Sequence, residues 1–195
     1  MDAASTARSA PNRLSLQDYL EWESVQPARN EFYRGEVFAK VGGRRGNGRV
    51  VANLVRHLGN QLDGTPCQVF CENMKVQVAD DAVLYPDVFV TCDDSLDQAL
   101  TVFKKPVLVI EVLSPSTQSY DRSQKFAIYR RLESLREYVL IDPDTRRVEV
   151  FRPSVSDAEN WTLYDMSEKG ELRLASISCT VSMEQLFSGV GKAEG

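Results

Sequence analysis

The chain has 195 residues, of which 43% are hydrophobic and 26% charged, with a formal net charge of -5. That length and composition fit one globular domain with a real core and leave little room for a second. The acidic total excludes a protein that coats nucleic acid by bulk charge, while leaving room for a local basic patch that binds phosphate.

Residues 1–13, MDAASTARSAPNR, are small and polar and read as a flexible tail ahead of a single domain over 14–190. Ser15, followed three residues later by Asp18, predicts a helix N-terminus for LQDYLEWESV, with Pro27 as a stop. NEFYRGEVFAKVGG predicts a strand pair turning near Gly35. After GRRGNGR, the residues Val51, Leu54, Val55, Leu58 and Leu62 follow the helical period, and Gly64 and Pro66 end that helix. CQVFCENMKVQV predicts extended segments, followed by a turn and a short strand in YPDVFVTC. VLVIEVL is a nearly unbroken apolar run, the pattern of a strand in the middle of a sheet.

Asp121 reads as an N-cap with Gln124 in the capping-box position, predicting a helix over about 122–133. REYVLIDP and RRVEVFRP predict a hairpin around DPDT, in which Asp142 and Asp144 are turn residues. WTLYDMSEKGELRL predicts another hairpin and VSMEQLF a closing helix. Helices alternating with groups of strands imply an α/β or α+β fold, a mixed sheet with helices against it.

Cys67, Cys71, Cys92 and Cys179 form no CxxC pair, and His57 is the single histidine. A Cys/His zinc cluster is therefore not expected, and four reduced, packed thiols in a cytoplasmic protein are. The sequence shows neither a signal-peptide pattern nor an apolar run near 18 residues, so no membrane association is expected. Ser114, Ser116 and Thr117 lack a GxSxG elbow and make a weak nucleophile motif.

Three residues suggest chemistry. Glu111 interrupts the apolar strand and is costly to bury unless paired or bound to metal. Asp87 begins the strand VFVT behind Pro86. Lys125 shares a helical face with Ile128, Tyr129 and Leu132, so it either snorkels outward or meets a carboxylate. Two carboxylates on neighbouring strand ends suit Mg²⁺ or Mn²⁺, and an adjacent lysine can orient or help deprotonate a water and steady phosphoryl charge. The same groups also suit an inert ion-pair network. Glu31 and Glu36 flank the first turn and either can add a ligand, although Glu31 alone reads better as an exposed strand residue.

From Val37 to Leu62 there is no Asp or Glu, while Lys40, Arg44, Arg45, Arg49 and Arg56 stand among Gly42, Gly43, Gly46 and Gly48. Such a basic, glycine-rich loop can present amides and guanidiniums to phosphate, though it is not a P-loop. Arg122, Lys125, Arg130 and Arg131 form a second basic group.

NEFYRGEVF, YPDVFVTC, VLVIEVLSPSTQSYDRSQKFAIYRRL and REYVLIDPDTRRVEVFRP together resemble the Uma2 family over roughly 14–190. This family of restriction-endonuclease-like proteins is assigned to the PD-(D/E)XK nuclease superfamily. The resemblance implies a restriction-endonuclease-like central mixed β-sheet flanked by α-helices, and a Mg²⁺-dependent endonuclease acting on DNA. It implies Asp87 and Glu111 as metal ligands, with the Val112 carbonyl as a further donor. Position 113 is Leu113 where the superfamily usually has lysine, and Lys125 matches the lysine displaced to the following helix. Glu36 and Asp121 match supporting acidic positions. Arg44, Arg45, Asn47, Arg49 and Arg122 are the substrate-binding candidates, with Asn47 standing where many relatives carry histidine. A homodimer is expected because two sites cut two strands. The alternatives are a catalytically silent nuclease fold that binds DNA or assembles, and a metal-dependent hydrolase of small phosphodiesters.

Overall fold

A computed structural model describes residues 13–40, 42–93, 101–155 and 160–191. All but the last residue of the predicted tail lies outside the described residues. Helix α1, Leu16–Glu23, begins at Ser15, whose side chain accepts from the Asp18 amide while the Asp18 carboxylate returns a bond to the Ser15 amide. Its Tyr19 is fully buried and stacks on Phe32 of β1, with ring centroids 4.9 Å apart.

Strands β1, Asn30–Tyr33, and β2, Glu36–Ala39, form a hairpin that turns through Arg34 and Gly35. Both turn residues have positive φ, +51° and +90°, which glycine adopts without penalty and which matches the twist of a two-residue hairpin. This hairpin belongs to a five-stranded sheet with β4 (Lys75–Val78), β5 (Ala82–Leu84) and β7 (Val102–Phe103), in the order β2-β1-β5-β4-β7.

The larger sheet has six strands in the order β11-β10-β9-β8-β6-β3. They are β3 (Gln68–Cys71), β6 (Val88–Thr91), β8 (Pro106–Val112), β9 (Glu137–Asp142), β10 (Arg147–Pro153) and β11 (Trp161–Asp165). Pairing is antiparallel except between β8 and β9, so the sheet is mixed. β8 lies inside it, and its Leu108, Val109 and Ile110 are fully buried. Residues alternate between faces along a strand. Leu108, Ile110 and Val112 pack with Val50, Leu54 and Leu58 of helix α2, Arg45–Leu62. Val109 packs on the opposite face with Phe89, Ile128, Tyr129 and Tyr138. Leu54→Ala should cost about 2–5 kcal/mol of stability, the usual range for emptying a close-packed leucine site. Urea unfolding measures this directly, and an unchanged midpoint would contradict the packing described.

Helix α2 starts six residues before its predicted apolar face, within GRRGNGR. Glycines are poor helix formers, and here tertiary bonds hold the first turns. Asn47 donates to the Val112 and Leu113 carbonyls, and Arg49 donates to the Ser188 carbonyl. The helix predicted over 122–133 instead comprises α3 (Gln118–Tyr120), a π-helical turn (Asp121–Lys125) and α4 (Phe126–Tyr129). Asp121 is thus an internal, buried residue of the turn rather than an N-cap.

Two further expectations are corrected. β11 pairs with β10, while β12 (Glu171–Leu174) pairs with β13 (Cys179–Ser182), so WTLYD and ELRL do not form one hairpin. The closing helix α5, Met183–Leu186, follows β13 with a capping box from Ser182 and Gln185. Cys67 and Cys92 are joined as a disulfide, so the four thiols are not all reduced; Cys71 and Cys179 are free. The β3–β6 register pairs Gln68 with Thr91, and one further step sets the two cysteines opposite each other.

Candidate active site

The β6–β8 register pairs Val88 with Ile110. Carried one residue further, it sets Asp87 opposite Glu111 on the same face of the sheet. Asp87 is fixed from two sides. Its Oδ2 accepts the Val112 amide at 2.8 Å, and its Oδ1 takes the Lys40 ammonium at 3.1 Å. Glu111 is 1% exposed.

Lys125 comes down onto this pair from the π-helical turn and is 5% exposed. Its Nζ lies 3.1 Å from Glu111 Oε1, 3.2 Å from Glu31 Oε1 and 3.6 Å from Asp121 Oδ1. Asp121 and Lys125 are one helical turn apart and both face the sheet, while the Tyr138 hydroxyl holds the turn through the Asp121 carbonyl at 2.8 Å. Glu31 reaches in from β1 and also accepts the Tyr85 amide at 3.0 Å.

This packing sets the protonation preferences. Burial pushes the Glu111 carboxyl well above its usual range; the Lys125 ammonium opposes that rise, and the Asp87 and Asp121 charges add to it. Burial likewise raises Asp121, again against Lys125. For Lys125 burial disfavours the charge, but Glu111, Glu31 and Asp121 outweigh it and hold the ammonium well above the ordinary lysine range. Lys125 therefore stays cationic near neutral pH. It can orient a water and steady negative charge, and in this arrangement it is not a proton acceptor.

The cluster forms the floor of a cleft of about 620 Å³, with Arg29, Lys40 and Arg44 among its walls. Tyr120 also lines it, and its buried hydroxyl has no hydrogen-bond partner among the described residues. Burial raises the pKa of that hydroxyl, with help from Glu31, so it remains a donor. An unmatched buried donor at a cleft wall is a place for a water or a substrate oxygen.

The cleft thus brings together Asp87, Glu111, Val112, Asp121 and Lys125, together with Arg44 and Asn47. The structure places the other candidates elsewhere. Glu36 is exposed and lies outside the cleft lining, while Glu31 occupies the inner position. In the hairpin Glu31 pairs with Phe38 and Glu36 with Tyr33, so Glu36 sits at the turn end, toward water. Glu36→Ala should change stability by less than about 0.5 kcal/mol, as for ordinary surface sites. Glu31→Ala should cost about 1–3 kcal/mol by leaving the Tyr85 amide and Lys125 short of an acceptor. Paired thermal melts of the two variants distinguish these roles, and equal losses would contradict the assignment.

Arg45 and Arg49 also lie outside the cleft lining, because Arg45 is exposed at the helix start and Arg49 is tied to Ser188. Arg122 is ion-paired with the buried Glu149 and lines a different depression. Asn47 is at the cleft, but its amide is committed to the Val112 and Leu113 carbonyls. Lys40, in the sequence only part of a basic stretch, joins the site, as do Arg29 and Tyr120, which no sequence motif singles out. The partner of Lys40, Asp87, is 47 residues away, and only the fold brings the two together.

The site thus sits on a mixed sheet, with two carboxylates at neighbouring strand ends and a lysine brought in from the helical turn that follows. The model of the Uma2 family, described as "Putative restriction endonuclease", matches residues 16–182. The chain belongs to the Uma2 family. It is 30% identical over 184 residues to "Uncharacterized protein slr1290" of Synechocystis, covering 93% of this chain and 96% of that protein. It is 31% identical over 166 residues to "Uncharacterized protein sll1609" of the same organism, covering 83% and 93%. The fold also matches a crystal structure from Anabaena variabilis described as "a putative nuclease belonging to DUF820". That match has a TM-score of 0.71 and 20% identity, and covers 90% of this chain and 98% of the other. No helix among the described residues is long and apolar enough to cross a membrane.

Proposed function

We propose that this protein is a Mg²⁺-dependent phosphodiesterase that hydrolyses DNA, with Mn²⁺ as a substitute ion. The observation that carries this reading is the buried Asp87–Glu111–Lys125 cluster at the floor of a cleft with basic walls. The donors suit a hard divalent ion. Four carboxylates, Glu31, Asp87, Glu111 and Asp121, face the ammonium groups of Lys40 and Lys125, their acceptor atoms are all oxygen, and among the described residues the buried Tyr120 hydroxyl beside them has no hydrogen-bond partner. Among the described residues no three His, Cys, Asp or Glu side chains already form a metal cage. The fit is therefore a two-carboxylate site, with Asp87, Glu111 and the Val112 carbonyl as protein donors and water completing the shell. When bound, such an ion polarises a phosphoryl oxygen and lowers the pKa of a bound water.

The chain's own groups supply the rest. Lys125 keeps Glu111 oriented and places positive charge beside the reacting centre. Asp121 and Glu31 hold Lys125 in place and keep it protonated. Arg29 and Arg44 offer guanidiniums to phosphates flanking the scissile bond, and Tyr120 offers a hydroxyl donor. Cutting both strands calls for two such sites, hence a pair of chains.

One observation favours a second reading, a silent nuclease fold that binds DNA. Asn47, at the cleft, has no proton-accepting nitrogen, and its amide is already engaged. Incubating the protein with supercoiled, linear and single-stranded DNA and with bis(p-nitrophenyl) phosphate, each with Mg²⁺, Mn²⁺ or EDTA, separates the readings. Metal-dependent DNA cutting supports the proposal. Turnover of the small ester alone indicates a small-phosphodiester hydrolase. DNA binding without cutting of any form indicates the silent fold.

A further inference from the structure

We propose that Lys40 occupies the cation position on Asp87, so that a divalent ion must displace this lysine in order to bind. The inference rests on the metal-dependent reading above and adds a residue that sets the affinity of its site. Lys40 follows directly on β2, and its backbone amide is anchored to the Arg29 carbonyl at 2.9 Å. Its Nζ lies 3.1 Å from Asp87 Oδ1 and 2.9 Å from the Tyr85 carbonyl. The side chains of Lys40 and Asp87 are 17% and 21% exposed, so the pair is partly shielded from water and opens onto the cleft.

The other donor atoms are also engaged. Asp87 Oδ2 accepts the Val112 amide, the Val112 carbonyl accepts Asn47, and Glu111 Oε1 accepts Lys125. Among the described residues, Glu111 Oε2 carries no hydrogen bond. A carbonyl keeps a second lone pair while accepting one bond, so Asn47 does not block Val112. Lys125 is buried and held by three carboxylates. Among the described residues Lys40 has one carboxylate partner; it stands at the cleft wall on a flexible four-carbon stem and carries the same sign of charge as the incoming ion. It is the charged group best placed to compete for Asp87 and to move away. We assign it as a positioning residue that tunes metal affinity rather than as a catalytic one.

The test is calorimetric titration of Mn²⁺ alone into the full chain, comparing wild type with Lys40→Met, Lys40→Gln, Lys40→Arg and Asp87→Asn. Circular dichroism identifies which variants are folded, and the two neutral replacements guard against one failing to fold. Removing the ammonium should tighten Mn²⁺ binding about tenfold or more, the scale on which a charge at this distance shifts an ionic equilibrium. Lys40→Arg, which keeps the charge, should stay within about threefold of wild type, and Asp87→Asn should bind weakest. Equal or weaker binding by the neutral variants, with Asp87→Asn still impaired, overturns the role of Lys40 and leaves the metal site standing. No Mn²⁺ binding by wild type or by either neutral variant overturns both.

Discussion

Lys125→Met lowers stability by about 3–5 kcal/mol at neutral pH, the cost of removing one partner from a buried ionic cluster. For a chain of this size that corresponds to a drop of roughly 10 °C in Tm. The cause is specific. Glu111 loses its 3.1 Å ammonium contact, and Glu31 and Asp121 lose theirs at 3.2 and 3.6 Å. The effect carries a pH signature. In the wild type Lys125 opposes the burial that raises the carboxyls of Glu111 and Asp121. Without it, both carboxyl pKa values rise further above their unfolded values. A group with a raised folded pKa contributes stability below its unfolded pKa, and that contribution is lost as pH rises through the folded pKa. The gap between variant and wild type should therefore narrow as pH falls from about 7 toward the ordinary carboxyl range near 4. Urea unfolding at several pH values measures it. A gap that stays constant, or widens on acidification, would contradict the cluster's electrostatics.

Glu111→Gln has the opposite profile: a small effect on folding and a large one on chemistry. The amide keeps the shape of the side chain and removes a buried charge that Asp87 and Asp121 repel. Lys125 retains Glu31 and Asp121 as partners. Stability should stay within about 1 kcal/mol of wild type, as for a nearly isosteric change in a site that keeps its other partners. Cleavage should fall by roughly 10³-fold, the upper range for losing one preorganised electrostatic contact to the reacting centre. Activity scales and unfolding curves are to be read on the same preparation. An active, stable Glu111→Gln would make the cluster structural, and an unfolded one would leave Asp87→Asn to carry the comparison.

The central strand was legible in VLVIEVL because a strand buried on both faces needs no polar alternation. Lys125 was legible for a similar reason, since its spacing to Ile128 and Tyr129 put a charge on an apolar helical face. A buried charge in such a place demands a partner, and the structure supplies three. What the sequence hid depends on register and on distant contacts. Glu31 and Glu36 share a hairpin face, and only the docking of β1 against β5 shows which end lies inward. The start of α2 was masked by Gly46 and Gly48, whose poor helix propensity is offset by the bonds Asn47 and Arg49 make to distant carbonyls. The π-helical turn that aims Lys125 has no clear local signature, and it moved Asp121 from an apparent cap into the cluster. The Cys67–Cys92 link needed the β3–β6 pairing. Lys40 and Asp87 meet across two sheets, which no local pattern encodes.

Cleavage of supercoiled plasmid by wild type and Glu111→Gln, purified side by side and assayed with Mg²⁺ and with EDTA, decides whether Glu111 serves a metal-dependent nuclease. Nicked or linear DNA is expected only from the wild type with Mg²⁺. Cutting by both proteins, or cutting that persists in EDTA, would contradict that role.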